Sequence, residues 1–153
     1  DSCLVGSEMC IRDRRHEGVS VKHDVSVPLS SVPGLIAEAG AAVRDLVPGV
    51  RLVAYGHIGD GNLHFNLSPP VGADEQEFLA QAGAVHEAVY QIVSKRGGSI
   101  AAEHGVGRLK RDALSRFRSG AEYDLMVRLK QSLDPQGIMN PGKVIQIDDA
   151  GSA

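Results

Sequence analysis

The sequence predicts an α+β fold built on an antiparallel sheet, and three observations carry that prediction. Valines alternate with polar residues between Gly18 and Pro28, the pattern of a half-buried strand. Apolar residues recur at helical spacing in two stretches, Leu35–Leu46 and Phe78–Val93. Between these stretches, Arg51–Ser68 holds Asp60-Gly61, a strong hairpin signal. A short apolar segment at Ser99–Ala102 completes the order β-α-β-β-α-β. That order is the ferredoxin-like split βαβ unit. Such a sheet carries helices on one face and leaves the other free. A C-terminal helical segment follows it.

The elements are justified in turn. In the first strand Val19, Val21, Val25 and Val27 share a face, with Ser20, Lys22, Asp24 and Ser26 opposite. His23 breaks the pattern. Ser30 or Ser31 can cap the first helix, with Pro33 in its first turn. Leu35, Ile36, Ala39, Val43 and Leu46 follow, and Pro48-Gly49 ends the run.

Read with Asp60-Gly61 as a two-residue turn, the hairpin sets Gly59 against Asn62, Ile58 against Leu63 and His57 against His64. One face then carries Tyr55, His57, His64 and Asn66. The other carries Leu52, Ala54, Ile58, Leu63, Phe65 and Leu67. Pro69-Pro70 breaks the strand.

One long helix is expected from about Asp74 through Phe78, Ala82, Val85, Val89, Ile92 and Val93. Lys95 and Arg96 suit its last turn, and Gly97 its C′ position. Two further helices are expected over about 107–117 and 121–133, the second closed by Asp134-Pro135. Gly137–Lys143 is a loop dense in turn residues. There is no internal repeat and no low-complexity tract.

At 153 residues the chain has the length of one domain. A net charge of −3 makes no electrostatic case for nucleic acid or a membrane surface. No apolar stretch approaches a membrane span. Residues 1–14 have no clear period and lack the apolar core of a secretory signal. They resemble a translated sequencing-library adapter and are left out of fold reasoning as artefactual or disordered. Both cysteines, Cys3 and Cys10, lie there, so cysteine usage says nothing of redox compartment. The domain is expected to occupy residues 15–146 as the tail of a longer protein. Residues 147–153 are expected to fray.

Two clusters carry chemistry. Opposed residues of a hairpin have Cβ atoms roughly 4.5–5.5 Å apart, close enough for His57 and His64 to converge on one metal ion. The plainer alternative is a pair of ordinary polar strand residues. Glu103-His104 is the second cluster. Adjacent strand residues point opposite ways, so both can serve one site only if the chain bends, which Gly105 and Gly107 permit. With Glu103, the histidines make a His₂Glu set with open positions, the pattern of a catalytic metal. His104 is then free to act as a base. Gly105-Val106-Gly107 is weak evidence for phosphate binding.

Four motifs occur in order. They are Val21–Pro28, Gly56–Asn66, Ala102–Gly107, and Leu133-Asp134-Pro135 through Asn140-Pro141-Gly142-Lys143. Together they resemble the C-terminal part of FAD-linked 2-hydroxy-acid dehydrogenases, a group that includes D-2-hydroxyglutarate dehydrogenase, D-lactate dehydrogenase and the glycolate oxidase flavin subunit. The resemblance implies that His57, His64 and Glu103 hold zinc or manganese. It implies that His104 takes the substrate hydroxyl proton while hydride passes to FAD, and that Lys22 and Asn66 hold substrate carboxylates. It places Asn140 in a tail that returns toward the flavin domain. It further implies a 2-hydroxy acid substrate and an electron-transfer flavoprotein, quinone or cytochrome as acceptor, and it is compatible with a homodimer. The location it implies is the cytoplasm of a bacterium or the mitochondrion of a eukaryote.

The flavin-binding domain and an upstream substrate-binding arginine have no counterpart in these residues. Arg12, Arg14 and Arg15 are assigned no such role, and the chain alone is expected neither to hold FAD nor to turn over. Two other readings fit the same residues. A His₂-carboxylate set also forms the facial triad of non-haem iron oxygenases. A ferredoxin-like module can also bind a small molecule or another subunit without catalysis.

Overall fold

The computed structural model describes residues 18–57, 59–145 and 147. The irregular N-terminal segment 1–14, Ile58 and the tail after Ile147 lie outside the described residues. The chain runs β1 (Val21–Ser26), a 3-10 turn (Leu29–Ser31), α1 (Val32–Leu46), β2 (Arg51–His57) and β3 (Asn62–Ser68). Helices α2 (Glu75–Ala80), α3 (Ala82–Lys95), α4 (Arg111–Phe117) and α5 (Ala121–Leu133) follow. The strands form one antiparallel sheet in the order β1-β3-β2.

The expected α+β class holds, but the fourth strand is reduced to one antiparallel bridge, Ser26 with Ser99. It lies on the outer edge of β1, where the last strand of a split βαβ unit belongs. Ser99 N donates to Ser26 O at 2.8 Å and Ser26 N to Ser99 O at 3.0 Å. A few residues later Ala102 N is shared between the Asp24 carbonyl, at 3.3 Å, and the Asp24 carboxylate, and from there the chain leaves the ladder and turns around that side chain.

The period-two alternation sends Val21, Val25, Leu63, Phe65 and Leu67 to one face of the sheet. There they bury against Leu35, Ala39 and Val43 of α1 and Val85, Val89 and Val93 of α3. This apolar layer supplies the main drive to fold. His23 shares that face and is fully buried. Its Nδ1 lies 2.9 Å from Phe65 O and its Nε2 lies 2.9 Å from His86 Nδ1. A carbonyl only accepts, so His23 carries its proton on Nδ1, its Nε2 accepts, and His86 donates from Nδ1. Tyr90 packs edge-on, with ring centroids 5.7 Å apart. The apparent break in the β1 pattern is thus a satisfied core histidine.

The hairpin register differs from expectation. His57 faces Asn62, Tyr55 faces His64 and Leu52 faces Leu67. The connection is therefore residues 58–61, not a two-residue turn at Asp60-Gly61. Local polar groups favour the longer loop. Asp60 Oδ1 accepts from Asn62 N at 3.0 Å. Gly61, at φ 71°, turns its carbonyl to Val27 N at 3.2 Å. A slip of one residue exchanges the faces of a strand; this shift is two, so among the described residues both expected faces survive.

The expected long helix is two, broken at Gln81. Asp74 caps α2, its Oδ1 accepting from Gln76 N at 2.8 Å and Glu77 N at 2.9 Å. Gln81 N bonds to Phe78 O, three residues back, and this tight turn ends α2. Helix α3 closes on Gly97, at φ 68°. Gly98 N bonds to Val93 O and Gly97 N to Ser94 O, a Schellman motif. Helix α4 starts at Arg111 rather than near 107, because Gly107 is left-handed at φ 55°. Helix α5 has the expected bounds but buries none of its residues.

Burial and the neighbouring His86 lower the His23 pKa to about 3, against the bond to Phe65 O, which raises it. Burial and Lys110 lower that of His86 too. Below pH about 6.5 the unfolded chain binds protons at these sites that the folded chain refuses. Their contribution to stability is therefore complete above pH 6.5 and lost as the pH falls toward 3. Urea midpoints should drop between pH 7 and pH 4.5, and a His23→Phe, His86→Phe double variant should show a shallower drop. Equal slopes in the two proteins would contradict this account.

Candidate metal centre

The face of the sheet away from α1 and α3 is largely polar, with Val53 an exposed apolar exception opposite Asn66. Lys22 pairs with Asn66, Asp24 with His64 and Ser26 with Asn62. Strand β2 adds Tyr55 opposite His64 and His57 opposite Asn62. The segment after the Ser99 bridge brings Glu103 and His104 over this face.

Three ligand atoms converge there. His57 Nε2 lies 3.1 Å from Glu103 Oε1, and His64 Nε2 lies 3.6 Å from Glu103 Oε2. One donor atom from each residue falls within 4.8 Å of the others. The histidines meet diagonally, with ring centroids 6.0 Å apart, within cross-strand reach. His64 is the more enclosed of the two, its side chain 13% exposed against 59% for His57. The Tyr55 ring lies 5.0 Å from that of His64, and His104 stacks on His64 at 5.5 Å. The expected set His57, His64, Glu103 and His104 is therefore assembled.

Lys22 and Asn66 lie one pair farther along the ladder on the same face, roughly 7 Å from Asp24 and His64 at the usual strand rise. Lys22 is exposed and Asn66 is buried. Asn140 sits elsewhere in the chain, exposed and left-handed at φ 50°. Its loop is shaped by Asp134, whose carboxylate accepts from Ile138 N at 3.0 Å and Met139 N at 2.9 Å. Lys130 binds both Asp134 and the carbonyl of Met139. The Lys130 bond and these amides hold the Asp134 carboxyl below the usual carboxylate range. The loop is also fastened to the chain after His104, through Val144 N to Gly107 O at 2.7 Å and Arg111 to Gly142 O.

Sequence reasoning missed Asp24. It is 3% exposed, and Oδ2 accepts from three successive amides, Ala102 (3.2 Å), Glu103 (2.8 Å) and His104 (2.8 Å). Burial opposes its ionisation. The His104 and Glu103 amides, with the charges of His104 and Lys110, outweigh burial and hold it below the usual carboxylate range. Lys110, also missed, donates to Ile100 O at 2.9 Å. Burial lowers its pKa and Asp24 opposes that. The available signal was the alternation of β1, which puts Asp24 on the Lys22 face. Asn62 is a further omission; neither of its buried side-chain polar atoms has a hydrogen-bond partner among the described residues. It lines a cavity of about 280 Å³ with His57, Gly56, Leu63, Leu29, Val32 and Pro33.

In class terms this is an α+β domain that covers one sheet face with helices and displays a His₂Glu cluster on the other. Residues 8–144 match the family described as FAD linked oxidases, C-terminal domain, and the chain belongs to that family. The match begins inside the irregular N-terminal segment. The chain is 46% identical over 123 residues to the D-2-hydroxyglutarate dehydrogenase of Stutzerimonas stutzeri strain A1501, covering 80% of this chain and 26% of that protein. It is 41% identical over 129 residues to the D-2-hydroxyglutarate dehydrogenase of Xanthomonas citri pv. viticola, covering 84% and 27%. It is 37% identical over 130 residues to the mitochondrial D-2-hydroxyglutarate dehydrogenase of Danio rerio, covering 85% and 23%. The chain spans about a quarter of the length of these relatives. No helix among the described residues is long and apolar enough to cross a membrane.

The loop that sets the hairpin register depends on Gly61. A Cβ there would meet Val27 O at 2.1 Å, at a backbone φ of 71°. Gly61→Ala should cost about 1–3 kcal/mol by chemical denaturation. An unchanged denaturation midpoint would show that the loop does not constrain the hairpin.

Proposed function

We propose that this chain is the substrate- and metal-binding part of a flavin-dependent dehydrogenase that oxidises a D-2-hydroxy acid to the 2-oxo acid. One observation carries the reading: His57, His64 and Glu103 converge within 4.8 Å on the sheet face that also bears Lys22, Asn66 and His104. The residues fit a metal. Two imidazole nitrogens and a carboxylate suit zinc or manganese, and three protein ligands leave positions open for substrate.

A bound divalent ion would polarise the hydroxyl and carboxylate oxygens of an α-hydroxy acid and lower the hydroxyl pKa. FAD, when bound, supplies the hydride acceptor. The remaining work falls to the chain. His57, His64 and Glu103 would hold the ion. The Lys22 ammonium and the Asn66 amide bind carboxylate oxygens and orient the substrate along the strands. His104, stacked on His64, removes the hydroxyl proton through its imidazole. Asn140 is assigned to the flavin side. The relatives' names make D-2-hydroxyglutarate the first substrate to test. In the whole protein, electrons leave to an electron-transfer flavoprotein, a quinone or a cytochrome, and a homodimer is compatible with this reading. Its location is the bacterial cytoplasm, or the mitochondrion in a eukaryote, as in the name of the Danio rerio relative.

The purified 153-residue chain should bind about one equivalent of zinc or manganese by elemental analysis, and His57→Ala with His64→Ala should abolish it. Unchanged metal content in that double variant would refute the centre. The C-terminal-domain family fills residues 8–144 of these 153, so the same preparation should retain no stoichiometric flavin. In the enzyme containing the flavin domain, His104→Gln should lower kcat for D-2-hydroxyglutarate by about 10²–10⁴-fold. Metal content should be unchanged. Wild-type turnover would remove His104 as the base.

A further inference from the structure

We infer that Asp24 is a positioning residue for this centre. One of its oxygens holds the Glu103-His104 turn, and the other fixes His64 in the tautomer that leaves Nε2 free for an ion. The inference rests on the proposed metal reading and assigns a role to a residue outside the ligand set.

The first half follows from Oδ2. Three successive amides aim at this one oxygen. A regular strand would send Glu103 and His104 to opposite faces. Wrapped on a carboxylate, the turn lets both serve one face. Glu103 reaches His57 and His64, and His104 stacks on His64.

The second half follows from Oδ1. This atom is buried without a hydrogen-bond partner among the described residues, a costly state for a carboxylate oxygen. His64 Nδ1 lies 3.8 Å away. A closure of about 1 Å would give a charge-assisted N–H···O⁻ bond. The bond requires the proton on Nδ1. It leaves the Nε2 lone pair on the side of Glu103 Oε2, 3.6 Å away. A carboxylate behind a ligating imidazole sets its tautomer and raises its basicity. Asp24, His64 and His104 also lie close enough to hold an ion by themselves. Oδ2 is already occupied by three amides, which disfavours Asp24 as a ligand.

Asp24→Asn tests this with little change of shape. Its oxygen can keep the turn, but its NH₂ then faces His64 Nδ1 and drives the ring proton to Nε2. Long-range ¹H–¹⁵N correlation spectra of the metal-free chain should show His64 as the Nδ1–H tautomer. In Asp24→Asn it should convert to Nε2–H. Zinc affinity by chelator competition should fall about 10–100-fold. A folded Asp24→Asn chain with the wild-type tautomer and zinc affinity would overturn the inference. So would an Nε2–H His64 in the metal-free wild type, a measurement that stands even if the variant fails to fold. Zinc lost in Asp24→Asn but fully kept in His57→Ala would overturn it in favour of Asp24 as a ligand. A wild type that binds no zinc would overturn the proposed function and the metal role of Asp24. The tautomer comparison would still decide whether Asp24 governs His64.

Discussion

The bond between the Asp24 carboxylate and the amides of Ala102, Glu103 and His104 is the constraint on which the rest of the site depends. It joins the first strand to a segment 78–80 residues later. It also explains the departure from the split βαβ plan. A full fourth strand beside β1 would commit residues 101–104 to alternating directions. The chain bridges at Ser99, makes one more backbone bond from Ala102 N to Asp24 O at 3.3 Å, and then exchanges ladder bonds for bonds to a side chain. Sheet regularity is given up where the Glu103 carboxylate and the His104 imidazole come to lie over one face.

Strand β1 carries two buried polar side chains in succession, and their environments differ as their faces do. His23 points into the apolar layer and has partners on both ring nitrogens, Phe65 O and His86. It behaves as core. Asp24 points to the open face, with one oxygen saturated and the other bare. Two adjacent positions of similar burial thus divide into a structural and a functional role, and what separates them is completeness of hydrogen bonding, not exposure.

Alternation made much of this legible in the sequence. Period-two patterning in β1 and the hairpin assigned the faces correctly despite a two-residue error in register, because faces depend only on parity. The histidines of the hairpin were legible for the same reason, being local. The break at Gln81 was not, since a single i→i−3 bond within an amphipathic run leaves no mark on the apolar spacing. Asp24 was not legible as a site residue, because its role depends on amides far along the chain. Periodicity cannot report such a contact. Glu103 was legible as a member of the cluster only jointly with the histidines and the ordered motifs.

The open face carries a further regularity. The unpartnered buried side-chain atoms there belong to Asp24 and Asn62, on neighbouring strands with one ladder pair between their positions. A buried polar atom left unpaired costs about 1–3 kcal/mol, and a chain shaped for stability alone would place Val or Thr at such positions. Sequences that satisfy local rules elsewhere break them where a ligand completes the bonding. The helix-covered face of the sheet buries its one histidine with partners on both ring nitrogens. Among the described residues, three of the four unpartnered buried side-chain atoms, Asp24 Oδ1 and both polar atoms of Asn62, lie on the face that holds His57, His64 and Glu103; the fourth is Arg96 Nε at the end of α3. Most of the unsatisfied groups therefore lie on the surface that carries the His57, His64 and Glu103 cluster, an independent physical criterion for the same face.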